Sequence, residues 1–201
     1  MSPGTASRDS LSSSLLERLR QEDGTAWTRL TDLYGPLVYA WSRRAGLVPA
    51  DAADITQEVF VAVSRKIKTF RRDMPGSTFH GWIGTITRNK IRDHFRRCAT
   101  QPLAKGGSDA LRWMQDLADM DDDSVGSDRP TTADRRALLE RATQLVRAEF
   151  EERTWQAFWL TAVENRSPIN AAQELSISVN AVYKARSRVL RRLRDELEGL
   201  L

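Results

Sequence analysis

Apolar residues recur at helical spacing through both ends of this chain, and the pattern stops between Ala99 and Thr132. That interruption limits the possible folds more than any other feature. Trp27, Leu30, Leu33 and Tyr34 follow the three-to-four-residue interval that puts side chains on one helix face. Leu37, Val38 and Trp41 do the same beyond Gly35-Pro36, a dipeptide that predicts a break between two helices. Ser12–Ser14 can cap a helix carrying Leu15, Leu16 and Leu19. Pro49-Ala50-Asp51 opens a helix to about Phe70, and another covers Phe79 to Arg97 after the loop Arg71–Thr78. Periodicity resumes at Ala133 and continues to Leu201, and no strand-like alternation of useful length occurs. In the gap, Gly106-Gly107, the acids from Asp116 to Asp123 and Gly126 through Pro130 read as a flexible linker. Leu111, Trp113, Met114 and Leu117 fit a short helix within it. The expected class is all-α. A polar tail (1–10) precedes one helical domain (11–98), an acidic linker (99–132) and a second helical domain (133–201).

Lys and Arg outnumber Asp and Glu by 31 to 27, and the pI near 9.6 fits a polyanionic partner. The distribution is uneven. Cations cluster at Arg65–Arg72, Arg88–Arg97 and Lys184–Arg194, and acids at Asp116–Asp128. The single Cys98 excludes an internal disulfide and a cysteine-based zinc site, which fits a reducing, cytoplasmic setting. No apolar run approaches membrane-spanning length, so no membrane insertion is expected. His80 and His94 lack a carboxylate–thiol set, and no nucleophile triad or Gly-rich phosphate loop appears. No metal, no cofactor and no catalytic residue are expected.

Two constellations carry the functional signal. On the helix after Pro49, Ile55, Val59, Ala62, Val63, Ile67 and Phe70 share an apolar arc, interrupted by Lys66, which would have to snorkel. Asp54, Gln57, Glu58 and Val61 lie on the other side, either a solvated face or a docking surface for a basic protein. On the following helix Ile83, Ile86, Thr87, Ile91 and Phe95 face inward. Trp82, Thr85, Asn89, Arg92 and Arg96 line the opposite edge at i, i+3, i+7, i+10 and i+14. Such a stripe suits nucleic acid: Asn reads base edges, Arg takes base or phosphate, and exposed rings stack on bases. The competing reading has Phe79 and Trp82 capping the core beneath the loop.

The second constellation begins with an apolar-faced helix, Arg153–Val163, whose Trp155, Phe158, Trp159 and Leu160 read as core. Asn165-Arg166-Ser167-Pro168 breaks the chain, with Ser167 placed to cap and Pro168 at the first helical position. A short helix, Ile169–Leu175, a turn at Ser176-Ile177-Ser178 and a long helix, Val179–Leu197, follow. Val179, Val182, Val189, Leu190, Leu193 and Leu197 form its expected buried stripe, with Arg186 inside the same arc. Asn180, Lys184, Ser187, Arg188 and Arg191 lie together on the exposed side. Six cations and no acid between Val179 and Arg194 favour a major-groove reading helix over a merely solvated one.

In this order, the segments DITQEVF, FHGWIGTITRNKIRDHFRR and SPINAAQELSISVNAVYKARSRVLRRL resemble the extracytoplasmic-function class of bacterial RNA polymerase sigma factors. The likeness covers about Leu15–Arg97 and Ala133–Leu197, matching the family's region 2 helices and region 4 helix-turn-helix. It implies a non-catalytic specificity subunit that binds core RNA polymerase and directs promoter recognition and DNA melting. It places Asp54, Gln57, Glu58 and Val61 on the β′ clamp helices, and the β flap as a second polymerase contact. It assigns the −10 element to Phe70, Arg71, Arg72, Phe79, Trp82, Thr85, Arg88, Asn89, Arg92 and Arg96. It assigns the −35 element to Asn180, Lys184, Ser187, Arg188 and Arg191. Members are often held inactive by an anti-sigma protein, which this sequence does not identify. Departures bear on which promoter is read: Asn180-Ala181-Val182 replaces a Gly-Thr-Val step, Ile169-Asn170-Ala171 replaces an Ile-Ala pair, and Gly84 stands where a larger residue is common. The alternative from another class is a stand-alone helix-turn-helix regulator with a helical sensor domain. The acidic Asp54–Glu58 face separates the two, since such a regulator needs no polymerase-docking surface.

Overall fold

A computed structural model describes residues 15–71, 78–100, 130–198 and 200. The described residues form helices only: α1 (Leu15–Arg20), α2 (Gly24–Arg44), α3 (Pro49–Lys66) with a 3-10 turn at Ile67–Thr69, α4 (Phe79–Thr100), α5 (Thr132–Arg147), α6 (Glu152–Ala162), α7 (Pro168–Glu174) and α8 (Val179–Leu197). None is long and apolar enough to cross a membrane. The tail, Ser12–Ser14 and the segment holding Trp113 lie outside the described residues.

Local chemistry sets most boundaries. The Asp23 carboxylate caps α2 by accepting from the Thr25 and Ala26 amides at 2.8 and 3.3 Å. Together with the Thr25 hydroxyl and Arg18, these donors hold its pKa down at about 2. Pro49 opens α3 from N1, where its missing N–H leaves nothing unsatisfied. Thr78 caps α4, its hydroxyl accepting from Gly81 N at 3.0 Å, and Thr131 does so for α5 through Asp134 N at 3.1 Å.

One sequence expectation fails here. Helix α2 runs through Gly35-Pro36 without a break. Pro36 lacks the N–H that would bond the carbonyl of Asp32 one turn back. That carbonyl instead accepts from Arg141 Nε, on α5, at 2.8 Å. A residue 109 positions away in sequence thus satisfies the orphaned acceptor, and the helix tolerates its proline.

Among the described residues one run of helices ends at Thr100 and another begins at Thr132, and the two runs do not stand apart. Leu30, Tyr34, Trp41, Ile55, Val59, Ile83 and Ile91 of the first run belong to the same buried cluster as Leu138, Val146, Trp155, Phe158, Leu193 and Leu200 of the second. Helix α5 lies on α2, and α8 touches α1. A smaller cluster, Ala157, Leu160, Ala171, Ala172, Val182 and Ala185, holds α6, α7 and α8 to one another. Its alanines permit the close helix approach that the helix-turn-helix geometry needs.

Candidate nucleic-acid interface

Three surfaces are built on this frame. The first is the outer face of α3, where charge changes sign along the helix. Asp54, Gln57 and Val61 are exposed, Val61 at 50%. Val61 is a single exposed apolar side chain among polar ones, so the acidic charge and not apolar area distinguishes this face. Glu58 differs from the expectation, because it is tied to the next helix. Its carboxylate pairs with Lys90 Nζ at 3.0 Å and Arg97 at 3.4 Å. The Lys90 hydrogen bond, with Arg97 beside it, holds the carboxyl below its usual range. Glu58 therefore sets the register of α3 against α4, helped by Asp51 and His94 at 3.4 Å. Roughly 16 Å further along the helix from Asp54, the face becomes basic at Arg65.

The second surface joins α3 to α4. Arg65 and Lys66 face Asn89, Arg92 and Arg96 across a cleft of about 530 Å³ floored by Ala62 and Ile86. Three residues of the predicted stripe are thus gathered into one basic groove. Arg65 and Lys66 were not expected in it; the signal was Lys66 itself, the cation interrupting an apolar arc. Asp93 lies in the same groove and pairs with Arg96 at 3.7 Å, so the cations there are partly balanced. Thr85 is exposed, although its hydroxyl donates to Gly81 O at 3.0 Å. Arg71 is exposed and Arg88 half-buried. Arg72 and the rest of the loop, residues 72–77, fall outside the described residues.

The aromatic residues at the head of α4 correct the sequence reading. Phe70 and Phe79 are buried, not presented to a ligand. Phe79 meets the Tyr34 ring edge-on at 5.4 Å and the Phe70 ring at 5.7 Å. Trp82 is half-buried and rests on Phe70 and Phe79, with centroids 4.9 and 5.6 Å away. Burial of ring area outweighs display of a stacking face for the two phenylalanines. Only Trp82 keeps an accessible edge, supported from beneath by the other two.

The third surface is the helix-turn-helix. Ser167 accepts from Asn170 N at 3.2 Å to start α7, whose first residue is Pro168. Ser178 accepts from Ala181 N at 3.1 Å to start α8. Between them Ser176 adopts φ 53°, the left-handed region that lets the chain reverse within a three-residue turn. Asn180, Lys184, Ser187, Arg188 and Arg191 are all exposed and, at about 100° per residue, share one side of α8. The guanidinium carbon of Arg188 lies 6.0 Å from the Phe150 ring centroid, a cation–π contact made by its charged head. Arg192 points the other way, to Glu149 at 2.6 Å and Glu196 at 2.8 Å.

Trp159 and Leu190, expected in the core, are 38% and 40% exposed. With Leu139, Trp155, Val163 and Leu175 they line an open groove of about 870 Å³ between α5, α6 and the helix-turn-helix. Glu140, Glu152, Glu164 and Glu174 border it. Periodicity had marked these side chains as apolar-facing without showing that no helix among the described residues covers them. Among the described residues no group of three or more His, Cys, Asp or Glu could hold a metal ion.

The Sigma-70 region 2 family matches residues 30–100, which span α3, α4 and the basic groove between them. Over 82 residues the chain is 37% identical to "ECF RNA polymerase sigma factor BldN" of Streptomyces coelicolor, a match covering 41% of this chain and 30% of that protein. It is 29% identical over 158 residues to "RNA polymerase sigma factor CnrH" of Cupriavidus metallidurans, covering 78% of each chain. It is likewise 29% identical over 192 residues to "RNA polymerase sigma factor NccH" of Alcaligenes xylosoxydans xylosoxydans, covering 96% of this chain and 95% of that one. A region 2 match lying on the α3–α4 surface and relatives that extend over the helix-turn-helix as well agree with one another: the chain carries a Sigma-70 region 2 match and is similar to RNA polymerase sigma factors, among them one of the extracytoplasmic-function class, of which it spans about a third.

Proposed function

We propose that this protein is a non-catalytic specificity subunit that binds core RNA polymerase in the cytoplasm, selects promoters and helps to separate their strands. The observation that carries this reading is the sign change on α3. An exposed acidic and apolar patch, Asp54, Gln57 and Val61, sits on the same helix as the cations that complete the α4 groove. A surface that repels DNA beside one that attracts it suits a protein working between polymerase and promoter.

Asp54, Gln57 and Val61 dock on the β′ clamp helices, and Glu58 acts by positioning. The groove of Arg65, Lys66, Asn89, Arg92 and Arg96 takes the −10 element, with Trp82 as its stacking platform. Arg71, Arg72, Thr85 and Arg88 extend that contact, whereas Phe70 and Phe79 support Trp82 from the core. The exposed stripe of α8 reads the −35 element in the major groove. The apolar groove beside it, bordered by four glutamates, seats the β flap, for which a helix with an apolar face and flanking cations is the complementary shape.

Reconstituted transcription tests this function. Core polymerase plus this protein, given fragments of the native genome, should start at a selected subset of sites with no other factor. Random starts, or none, would refute it. A stand-alone regulator would bind duplex DNA without polymerase and would not co-elute with the core enzyme.

A further inference from the structure

We propose that α1, the six-residue helix ahead of the region 2 match, braces the Trp82 platform, and that Arg20 is a positioning residue for strand separation. This inference rests on the sigma-factor reading above. Arg20 precedes residues 30–100, and no promoter contact assigned above involves it.

A helix of six residues is too short to hold itself in water, so the rest of the fold has to fix α1 in place. Leu15, Leu16 and Leu19 bury its inner face. Arg18 ties its end to the cap of α2, pairing with Asp23 at 2.8 Å, while Asp23 N donates back to Arg18 O at 3.1 Å. Two further side chains, Arg20 at the end of α1 and Glu22 just past it, reach across to the 3-10 turn at Ile67–Thr69. Arg20 Nη2 donates to Phe70 O at 2.9 Å, a contact 50 positions apart in sequence. Glu22, held at φ 62°, pairs with Lys68 Nζ at 2.5 Å. Both partners of that ion pair are exposed, so it contributes little by itself. Arg20 carries the contact.

The bond to Phe70 stands where the chain leaves the helix. Phe70 ends the 3-10 turn in an extended conformation, φ −64° and ψ 123°, so its carbonyl is one of the acceptors a helix end leaves without an internal donor. Arg20 supplies a charge-assisted one. The ring of the same residue lies beneath Trp82, with centroids 4.9 Å apart, and meets Phe79 at 5.7 Å. Phe70 is thus held twice, by its carbonyl to α1 and by its ring to the platform. Trp82 is half-buried, so what lies beneath it sets its orientation. Freeing the Phe70 carbonyl loosens that floor, and a ring that stacks on an unpaired base works best when held in one plane. Arg20 is itself partly buried and engaged with Phe70, so it acts through the floor and not by touching DNA.

A kinetic double-mutant cycle on the holoenzyme tests the proposal. Core polymerase with the full chain is mixed with a promoter fragment selected by reconstituted transcription, carrying 2-aminopurine in its −10 element. The fluorescence rise gives the opening rate, and binding in the cold, before opening, gives the initial affinity. Arg20→Ala should slow opening about tenfold, the scale of one lost hydrogen bond to a charged group. Initial affinity should stay within about twofold, with its salt slope unchanged. Arg20→Lys keeps a donor of similar reach and should recover most of the rate, whereas Arg20→Gln is too short and should not. In a Trp82→Ala background, Arg20→Ala should slow opening no further. Circular dichroism checks that each variant folds, and Arg20→Gln replaces the alanine variant if that one does not. Wild-type opening rates in both short variants, or losses that multiply in the Trp82→Ala background, would overturn the brace and leave the functional reading standing. A lowered salt slope would make Arg20 a phosphate contact and overturn it as well. A wild-type holoenzyme that opens no promoter would overturn the functional reading, and this inference with it.

Discussion

Replacing Asp134 by Ala is the most informative perturbation of the fold, because its carboxylate joins α2 and α4 to the start of α5. The substitution leaves Trp41 Nε1 buried without its acceptor, which costs about 1–3 kcal/mol. It removes a negative charge from the third position of α5, worth about 0.5 kcal/mol at a helix N-terminus. Arg44 is half exposed and turns to water, so its ion pair contributes little. Relief of the carboxylate's own desolvation offsets part of the loss. The net expectation is about 2–3 kcal/mol, or roughly 4–12 °C in Tm for a chain of this length. Asp134→Asn keeps an acceptor for Trp41 and should recover about half.

The pH dependence supplies a second readout. Burial pushes the Asp134 carboxyl up, but His80, Thr131, Trp41 and Arg44 together outweigh it and hold the group well below the usual carboxylate range. A depressed folded value means the stabilisation is fully present above the unfolded value near 3.8 and is lost as pH falls toward the folded one. The gap between wild type and Asp134→Asn should therefore be constant from about pH 5 to 8 and shrink in acid. Urea unfolding followed by circular dichroism at several pH values measures both effects. An Asp134→Ala protein within about 0.5 kcal/mol of wild type, or a gap that widens in acid, would refute this account of the junction.

Arg141→Ala should destabilise by about 1–2 kcal/mol by orphaning the Asp32 carbonyl, and the loss should largely vanish in a Pro36→Ala background, where the restored amide takes over; a thermal double-mutant cycle reads that coupling. Asp54→Arg should weaken binding to core polymerase by about tenfold or more, since like charges at an interface are costly, while leaving −35 duplex affinity unchanged in a gel-shift titration. Arg191→Ala should weaken −35 duplex binding and lower the slope of log affinity against log salt by about 1; an unchanged slope would remove Arg191 from the phosphate contacts.

The helix-turn-helix was legible almost residue for residue, because short-range chemistry writes it. Ser167, Pro168 and Ser178 act through hydrogen bonds and backbone restrictions spanning three residues, well within what a local pattern records. The exposed stripe Asn180–Arg191 followed from the same periodicity. Phe70 and Phe79 were less legible: an aromatic among cations reads alike whether it faces solvent or a neighbouring helix. Phe79 is buried against Tyr34, distant in sequence, and Phe70 against Phe79. Glu58 looked like its exposed neighbours because Lys90 and Arg97 are a helix away. The apolar groove at Trp159 and Leu190 went unseen because periodicity tells which side of a helix is apolar and not whether anything covers it.

By itself the sequence determined the helical class, the cap and turn of the helix-turn-helix, and the uneven charge pattern that points to polymerase and DNA, since each depends on neighbours a few residues apart. The tertiary structure alone decided that α2 continues through Pro36, that Arg65 and Lys66 join the groove of Asn89, Arg92 and Arg96, and that the two runs of helices close over buried Asp134 and Glu196. Each of these is an interaction between residues far apart in the chain. Its free energy depends on which surfaces meet, and a periodic pattern carries no record of that.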